Sequence, residues 1–221
     1  MKLYGGLLSP FVRKVAVVLG EKGVDYTPAR GGPGSTDPEF LAVSPFAKIP
    51  AIDDEGFTLA DSSAIVHYLE AKYPDPALIP ADPKARGLAI WFDEFGDTIF
   101  AASGLKILFN RVVGPRLLGK PGNEGLAQEG EAELPQIFAY LESIVPEEGW
   151  LVEGGFSIAD VTVASVLCTL VYVGQGPNPA AWPKTAAWHS RVTARPSWQA
   201  VAAREAALMQ RILPDLACLQ A

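Results

Sequence analysis

Cysteine and histidine are scarce in this chain, two of each in 221 residues. Cys168 and Cys218 are far apart and form no Cys-x-x-Cys, so neither a disulfide framework nor a zinc site is expected. His67 and His189 have no ligand spacing, and no metal is expected. Neither half carries a basic patch: the formal charge of −7 divides into −3 up to Pro80 and −4 beyond it. That argues against nucleic acid as a partner. It also means that an anionic ligand must be held by local cations, because the global field does not attract it. No apolar run is long enough to span a bilayer comfortably; the longest, Ile158 to Val173, contains Asp160. The N-terminus goes directly into Lys2-Leu3-Tyr4 without a signal-peptide pattern, so a soluble, cytoplasmic protein is expected. What is present, 49% hydrophobic and 19% charged residues, is ample for one large or two small domains.

The stretch Phe46-Ala47-Lys48-Ile49-Pro50-Ala51-Ile52, followed by Asp61-Ser62-Ser63-Ala64-Ile65-Val66, reads as strand, turn, strand, helix. Pro50 opens the first strand, where its missing N–H costs no ladder bond. Asp53-Asp54-Glu55-Gly56 is a polar turn and Phe57-Thr58-Leu59 the return strand. Asp61 or Ser62 caps a helix with Ile65, Val66 and Leu69 on one face. By spacing alone this is a tight hairpin leading into an ordinary capped helix. Two features suggest more. The Ile49–Pro50 bond stands at one of the few places that suit a cis peptide, and the helix start offers unpaired N–H groups and a positive dipole end, which suit a carboxylate.

Before it, Met1 to Tyr4 is a strand, and Ser9-Pro10 opens a helix striped by Phe11, Val15, Val18 and Leu19. Val24 to Ala29 is a second strand, and Asp37-Pro38 starts a short helix. The order βαβαββα requires a parallel pair across the first crossover and an antiparallel hairpin at the end. Tyr73 to Lys84, with four prolines, is a linker. Everything after it is helical. Ala85 to Asn110 is a long helix, Gly114 to Gly125 a loop, and Leu126 to Val145 a helix interrupted near Pro135. Ser157-Ile158-Ala159-Asp160 is a capping box before a buried helix. Lys184 to Ala194 and Ser197 to Ile212 are the last two helices.

The Ala-Lys-Ile-Pro-Ala-Ile segment, the hairpin, and Asp-Ser-Ser-Ala-Ile together resemble the glutathione-binding segment of the glutathione S-transferase superfamily. Ala47, Ile49 and Asp61 stand where its members more often have Gly, Val and Glu. Gly154 to Asp160 and Trp182 to Ser197 resemble its helical domain, so the likeness runs from about Lys2 to Met209. It implies a thioredoxin-like glutathione-binding domain over residues 1–76 and an all-helical domain over 84–221. Ser9-Pro10-Phe11-Val12-Arg13-Lys14-Val15 looks like the motif of serine-type members, in which the serine activates the thiol. Ser9 is then the catalytic residue; as a residue it is equally a helix cap, and the two roles are compatible. Tyr4 is the rival, since some classes use an N-terminal tyrosine, although in its strand it reads as a core aromatic. Serine instead of cysteine at position 9 counts against mixed-disulfide chemistry.

By the same resemblance, Ser62 receives the γ-glutamyl carboxylate and Asp61 lies near its ammonium. Ile49, before a cis Pro50, pairs its backbone with the cysteinyl unit, and Lys48 meets the glycyl carboxylate. Taken alone, Lys48 reads equally as a solvated lysine. Arg13 and Lys14 read as helix-surface or interdomain charges, and His67 and His189 as partly buried, satisfied side chains. The electrophile pocket is expected between the Ser9 loop and the long helix, with Phe95, Ile99, Ser103 and Lys106 as a stripe that can face it. The resemblance implies a cytoplasmic homodimer that uses glutathione as co-substrate to attack a hydrophobic electrophile. The other readings are a binding or assembly module of the same fold, and a glutathione-dependent isomerase or peroxidase using the same site.

Overall fold

The computed structural model describes residues 1–212; Cys218 lies outside them. Leu3 and Tyr4 are successive residues of strand β1 (Lys2–Tyr4) and therefore point to opposite faces of the sheet. Leu3 enters the main core with Ile52, Val12, Val15 and Leu69, and Tyr4 enters a smaller cluster with Phe40, Val43 and Ala51. This alternation sets the layering. Helix α1 (Pro10–Glu21) and helix α3 (Ser62–Lys72) cover one face of the sheet, and the short α2 (Pro38–Val43) covers the other. The strand order is β2-β1-β3-β4. β2 (Thr27–Ala29) is parallel to β1, β3 (Ala51–Asp54) is antiparallel to β1, and β4 (Phe57–Ala60) returns antiparallel to β3. The βαβαββα order and its mixed sheet are those expected.

Helix α1 is buried on almost every side from Pro10 to Leu19, as a helix packed on two fronts must be. Its second front meets the all-helical unit, where it lies on α7 (Ile158–Tyr172) and α9 (Pro196–Ile212). Asp160 secures the start of α7. Its carboxylate accepts from the backbone N–H of Ser157 (3.1 Å) and of Leu151 (2.9 Å), and from the Trp188 indole (2.9 Å). Trp188, on α8 (Pro183–Thr193), is fully buried. Among the described residues no helix is long and apolar enough to cross a membrane.

The long helix departs from the expected pattern twice. α4 (Pro83–Glu94) runs unbroken through a π-helical stretch, Phe95–Phe100, into α5 (Ala101–Leu108) and then a second π-helical stretch, Phe109–Leu117. Helical turns therefore continue over Gly114-Pro115, where a loop was expected. Only beyond Leu117 does the chain fold back, and there Gly122 lies so close to the Asn110 carbonyl oxygen that a Cβ would sit 1.7 Å from it. Helix α6 (Glu124–Ile144) is also continuous and contains Pro135, contrary to the expected interruption. A proline inside a helix costs about 3 kcal/mol. Leu134, Ile137, Phe138 and Leu141 are buried around it, and at about 1.5–3 kcal/mol each their burial outweighs the loss.

Candidate active site

Lys48, Ile49, Pro50, Asp61 and Ser62 come together on the wall of one cavity of about 820 Å³, closed on the far side by Glu94, Asp97 and Thr98 from the helical unit. Ser9 lies on an adjoining cavity of about 380 Å³. Phe11, Lys48 and Ile49 belong to both walls. The site therefore has a polar chamber and an apolar one, meeting beside Ile49.

Local chemistry sets each piece of the polar chamber. The Ile49–Pro50 peptide is cis. The loop before it is pinned by Ser44, whose hydroxyl donates to the Lys48 carbonyl (2.7 Å) and accepts from the Lys48 N–H (3.0 Å). Asp61 caps α3, its Oδ1 accepting from Ala64 N–H at 3.0 Å, with its own backbone at φ 86°. A non-glycine residue held in that region is strained, and such strain gathers at ligand sites. The backbone N–H groups of Ser62 and Ser63 have no acceptor among the described residues. They sit at the positive end of the α3 dipole, an arrangement that suits an anion.

Ser9 is the N-cap of α1; its Oγ accepts from Val12 N–H at 3.5 Å. Its own O–H has no acceptor among the described residues. Around it the apolar chamber is walled by Leu8, Leu105, Leu108, Phe109, Val113 and Leu117. Lys48 is the one ionisable side chain on that wall among the described residues. The residues opposite Ser9 thus come from α5 and the second π-helical stretch. The stripe Phe95, Ile99, Ser103 and Lys106 faces elsewhere, toward Tyr140 and Glu133 of α6 in a separate cavity. The four do share one side, but that side meets α6 and not the Ser9 loop. Tyr4 is buried against Phe40 at 5.9 Å between ring centroids and lines neither chamber.

The sequence did not single out the group behind the polar chamber. Lys14 is fully buried and reaches Asp93 Oδ1 at 2.5 Å and Asp97 Oδ2 at 2.8 Å. Ser63 donates to Asp93 Oδ2 (2.7 Å), Thr162 to Asp93 Oδ1 (2.5 Å), and Ser62 to Asp97 Oδ2 (3.2 Å). Burial pushes the Asp97 carboxyl up, opposed by Lys14 and reinforced by Asp93. The Asp93-x-x-x-Asp97 spacing was the available signal, since it puts both carboxylates on one helix face. Arg13 and Lys14 are both interdomain groups and not surface charges. His67 is exposed, against expectation. His189 is partly buried with Nε2 3.4 Å from the Cys168 sulfur, and burial lowers its pKa to about 4.

Known proteins share this architecture. The glutathione S-transferase N-terminal domain family matches residues 3–77, and the C-terminal domain family matches residues 100–196. Glutathione S-transferase 3 of Zea mays is 33% identical over 207 residues, covering 90% of this chain and 91% of that protein. The maleylacetoacetate isomerase of Pseudomonas aeruginosa is 31% identical over 192 residues, covering 83% and 87%. A solved glutathione S-transferase-I with bound lactoylglutathione superposes with a TM-score of 0.80 at 27% identity, covering 91% and 98%. The chain belongs to the glutathione S-transferase family.

Proposed function

We propose that this family member is a serine-type glutathione transferase, in which Ser9 stabilises the glutathione thiolate for attack on a hydrophobic electrophile. The observation that carries this reading is the junction of a polar and an apolar chamber at Phe11, Lys48 and Ile49, with an uncommitted Ser9 hydroxyl beside it. Glutathione occupies the polar chamber. Its γ-glutamyl carboxylate meets the α3 N-terminus at Ser62, and its ammonium meets the acidic wall of Asp61, Glu94 and Asp97. The cysteinyl unit lies along Ile49 before Pro50, and the glycyl carboxylate reaches Lys48. The sulfur then sits at the junction, and the electrophile in the apolar chamber.

A free thiol with a pKa near 8.5 is only a few per cent ionised at neutral pH. Lowering it by two units takes about 2.7 kcal/mol of preference for the anion. A hydroxyl donor at a helix start is of the right kind to supply this. The reading includes a division into residues 1–76 and 84–221, a cytoplasmic location and a homodimer. The homodimer comes from the family likeness, and the projecting Phe46, 86% exposed, is the side chain at which to test it.

A second reading, glutathione-dependent isomerisation, is favoured by the likeness to the maleylacetoacetate isomerase. The apolar chamber speaks against it, because a charged acyl substrate needs more cations than Lys48 supplies.

The test is calorimetric glutathione binding with a pH titration of thiolate absorbance, on the native protein and on Ser9→Ala. Binding in both, with the thiol pKa raised about two units and conjugation of an aryl chloride slowed about 100-fold in the variant, is the expected result. A lowered pKa in both proteins removes the role from Ser9. Turnover of maleylacetoacetate without conjugation selects the isomerase, and failure of both proteins to bind glutathione leaves an assembly module of this fold.

A further inference from the structure

The chain between α2 and β3 is gathered around one side chain. Ser44 ends α2, its own N–H donating to the Phe40 carbonyl at 2.8 Å. Its carbonyl accepts from the Ala47 N–H at 2.9 Å and closes a turn over Pro45 and Phe46. Ala47 is held at φ 52°, in the left-handed region that a side chain disfavours. The buried Ser44 hydroxyl meets both backbone groups of Lys48, accepting from the N–H (3.0 Å) and donating to the carbonyl (2.7 Å). A neighbouring strand would exchange the same two bonds, yet Lys48 lies before β3 and has no strand beside it.

The Lys48 C=O and the Ile49 N–H belong to one peptide unit. Among the described residues only the Ile49–Pro50 and Asp75–Pro76 bonds are cis. The Lys48–Ile49 unit is therefore trans, and its C=O and N–H point in opposite directions. By drawing the carbonyl to itself, Ser44 turns the Ile49 N–H away. That N–H has no acceptor among the described residues, and Ile49 stands where the two chambers meet.

We propose that Ser44 is a positioning residue, which through the Lys48 carbonyl aims the Ile49 N–H at the cysteinyl carbonyl of glutathione. The inference rests on the transferase reading of the site. The one O–H of Ser44 is spent on Lys48, so it acts through that residue and not on the ligand. Its footing is firm, because Phe40 is fully buried against Tyr4. A donor already aimed adds to affinity, whereas one that must be ordered on binding gives part of its gain back.

The test is calorimetry with three ligands on the native protein and Ser44→Ala. The ligands are glutathione, γ-glutamylcysteine amide, which lacks the glycyl carboxylate, and γ-glutamylcysteamine, which also lacks the cysteinyl carbonyl. The native protein should hold the amide roughly 3- to 10-fold more tightly than the cysteamine, the range for one hydrogen bond. Ser44→Ala should weaken glutathione and the amide by that factor and leave the cysteamine unchanged. Ser44→Cys, with a weak S–H donor in the same place, should repeat the pattern and serves where the alanine variant does not fold. Equal weakening of all three ligands would show a merely structural role and overturn the inference. Weakening of glutathione alone would trace the effect to the Lys48 side chain and overturn it too. So would unchanged binding of all three, or a native protein that holds the amide and the cysteamine alike. No glutathione binding by the native protein would instead defeat the transferase reading beneath it.

Discussion

Arg13 and Lys14 are consecutive on α1, both are shut off from water, and both reach into the helical unit, yet they meet opposite charge balances. Arg13 faces one carboxylate, Glu205, at 2.9 Å. Its Nη1 donates to the Ser165 carbonyl (2.7 Å) and to Thr169 Oγ1 (2.9 Å). Tyr172, whose ring lies 5.3 Å from the guanidinium, donates to the other Glu205 oxygen. That pair is neutral in charge, although Arg13 Nη2 is buried without an acceptor among the described residues, and it lines neither chamber. Lys14 faces two carboxylates, and one of them is on the chamber wall. Unpaired charge inside a protein is costly. The balanced pair joins two units, whereas the other group leaves a surplus negative charge at a cavity wall.

The largest expected effect tests the structural half of this contrast. Arg13→Met leaves Glu205 buried without a cation and should cost about 3–5 kcal/mol in denaturant unfolding. Glutathione affinity of the folded protein should not change. A weaker affinity at intact stability would put Arg13 with the ligand and break the contrast. A smaller effect is expected at Gly96, which precedes Asp97. A Cβ there would lie 2.6 Å from Thr162 Cγ2, so Gly96→Ala must push α7 away from the π-helical stretch. The cost should be about 1–3 kcal/mol, read as a lowered Tm. An unchanged Tm would mean that Thr162 yields freely and does not anchor Asp93.

The contrast also marks what was legible in the sequence. The Ser9 cap of α1, the β3–β4 hairpin, the start of α3 and the Ser157–Asp160 box were readable because each signal is local: a cap, a proline or a turn within a few residues. Pro115 and Pro135 misled because their local cost is overridden by packing and by wide turns that no single residue announces. The stripe from Phe95 to Lys106 is a true common face, but spacing along one helix does not tell which neighbour that face meets. Lys14 and Asp97 are 83 positions apart, and nothing near either one tells of the other. That surplus charge is visible only once the two units are packed.

The smallest expected effect bears on the same surplus charge and has an unusual sign. The folded Asp97 pKa is raised, first by burial and further by Asp93. A raised pKa means that the folded state binds the proton more tightly than the unfolded chain. The stability Asp97 contributes is therefore fully present below the unfolded value near 3.9 and is lost as the pH rises through the higher folded value. At neutral pH the ionised carboxylate is a burden on the fold. Asp97→Asn keeps an oxygen acceptor for Ser62 and Lys14 and leaves Lys14 balanced by Asp93 alone. It should therefore stabilise the ligand-free protein at pH 7 by about 0.5–1 kcal/mol, the scale of single stabilising substitutions. The gain should shrink as the pH falls toward 4. Denaturant unfolding of both proteins across that range measures it directly. A variant that is less stable at pH 7, with the deficit closing in acid, would mean that Lys14 needs both carboxylates, and the surplus charge would then be part of the fold and not of the site.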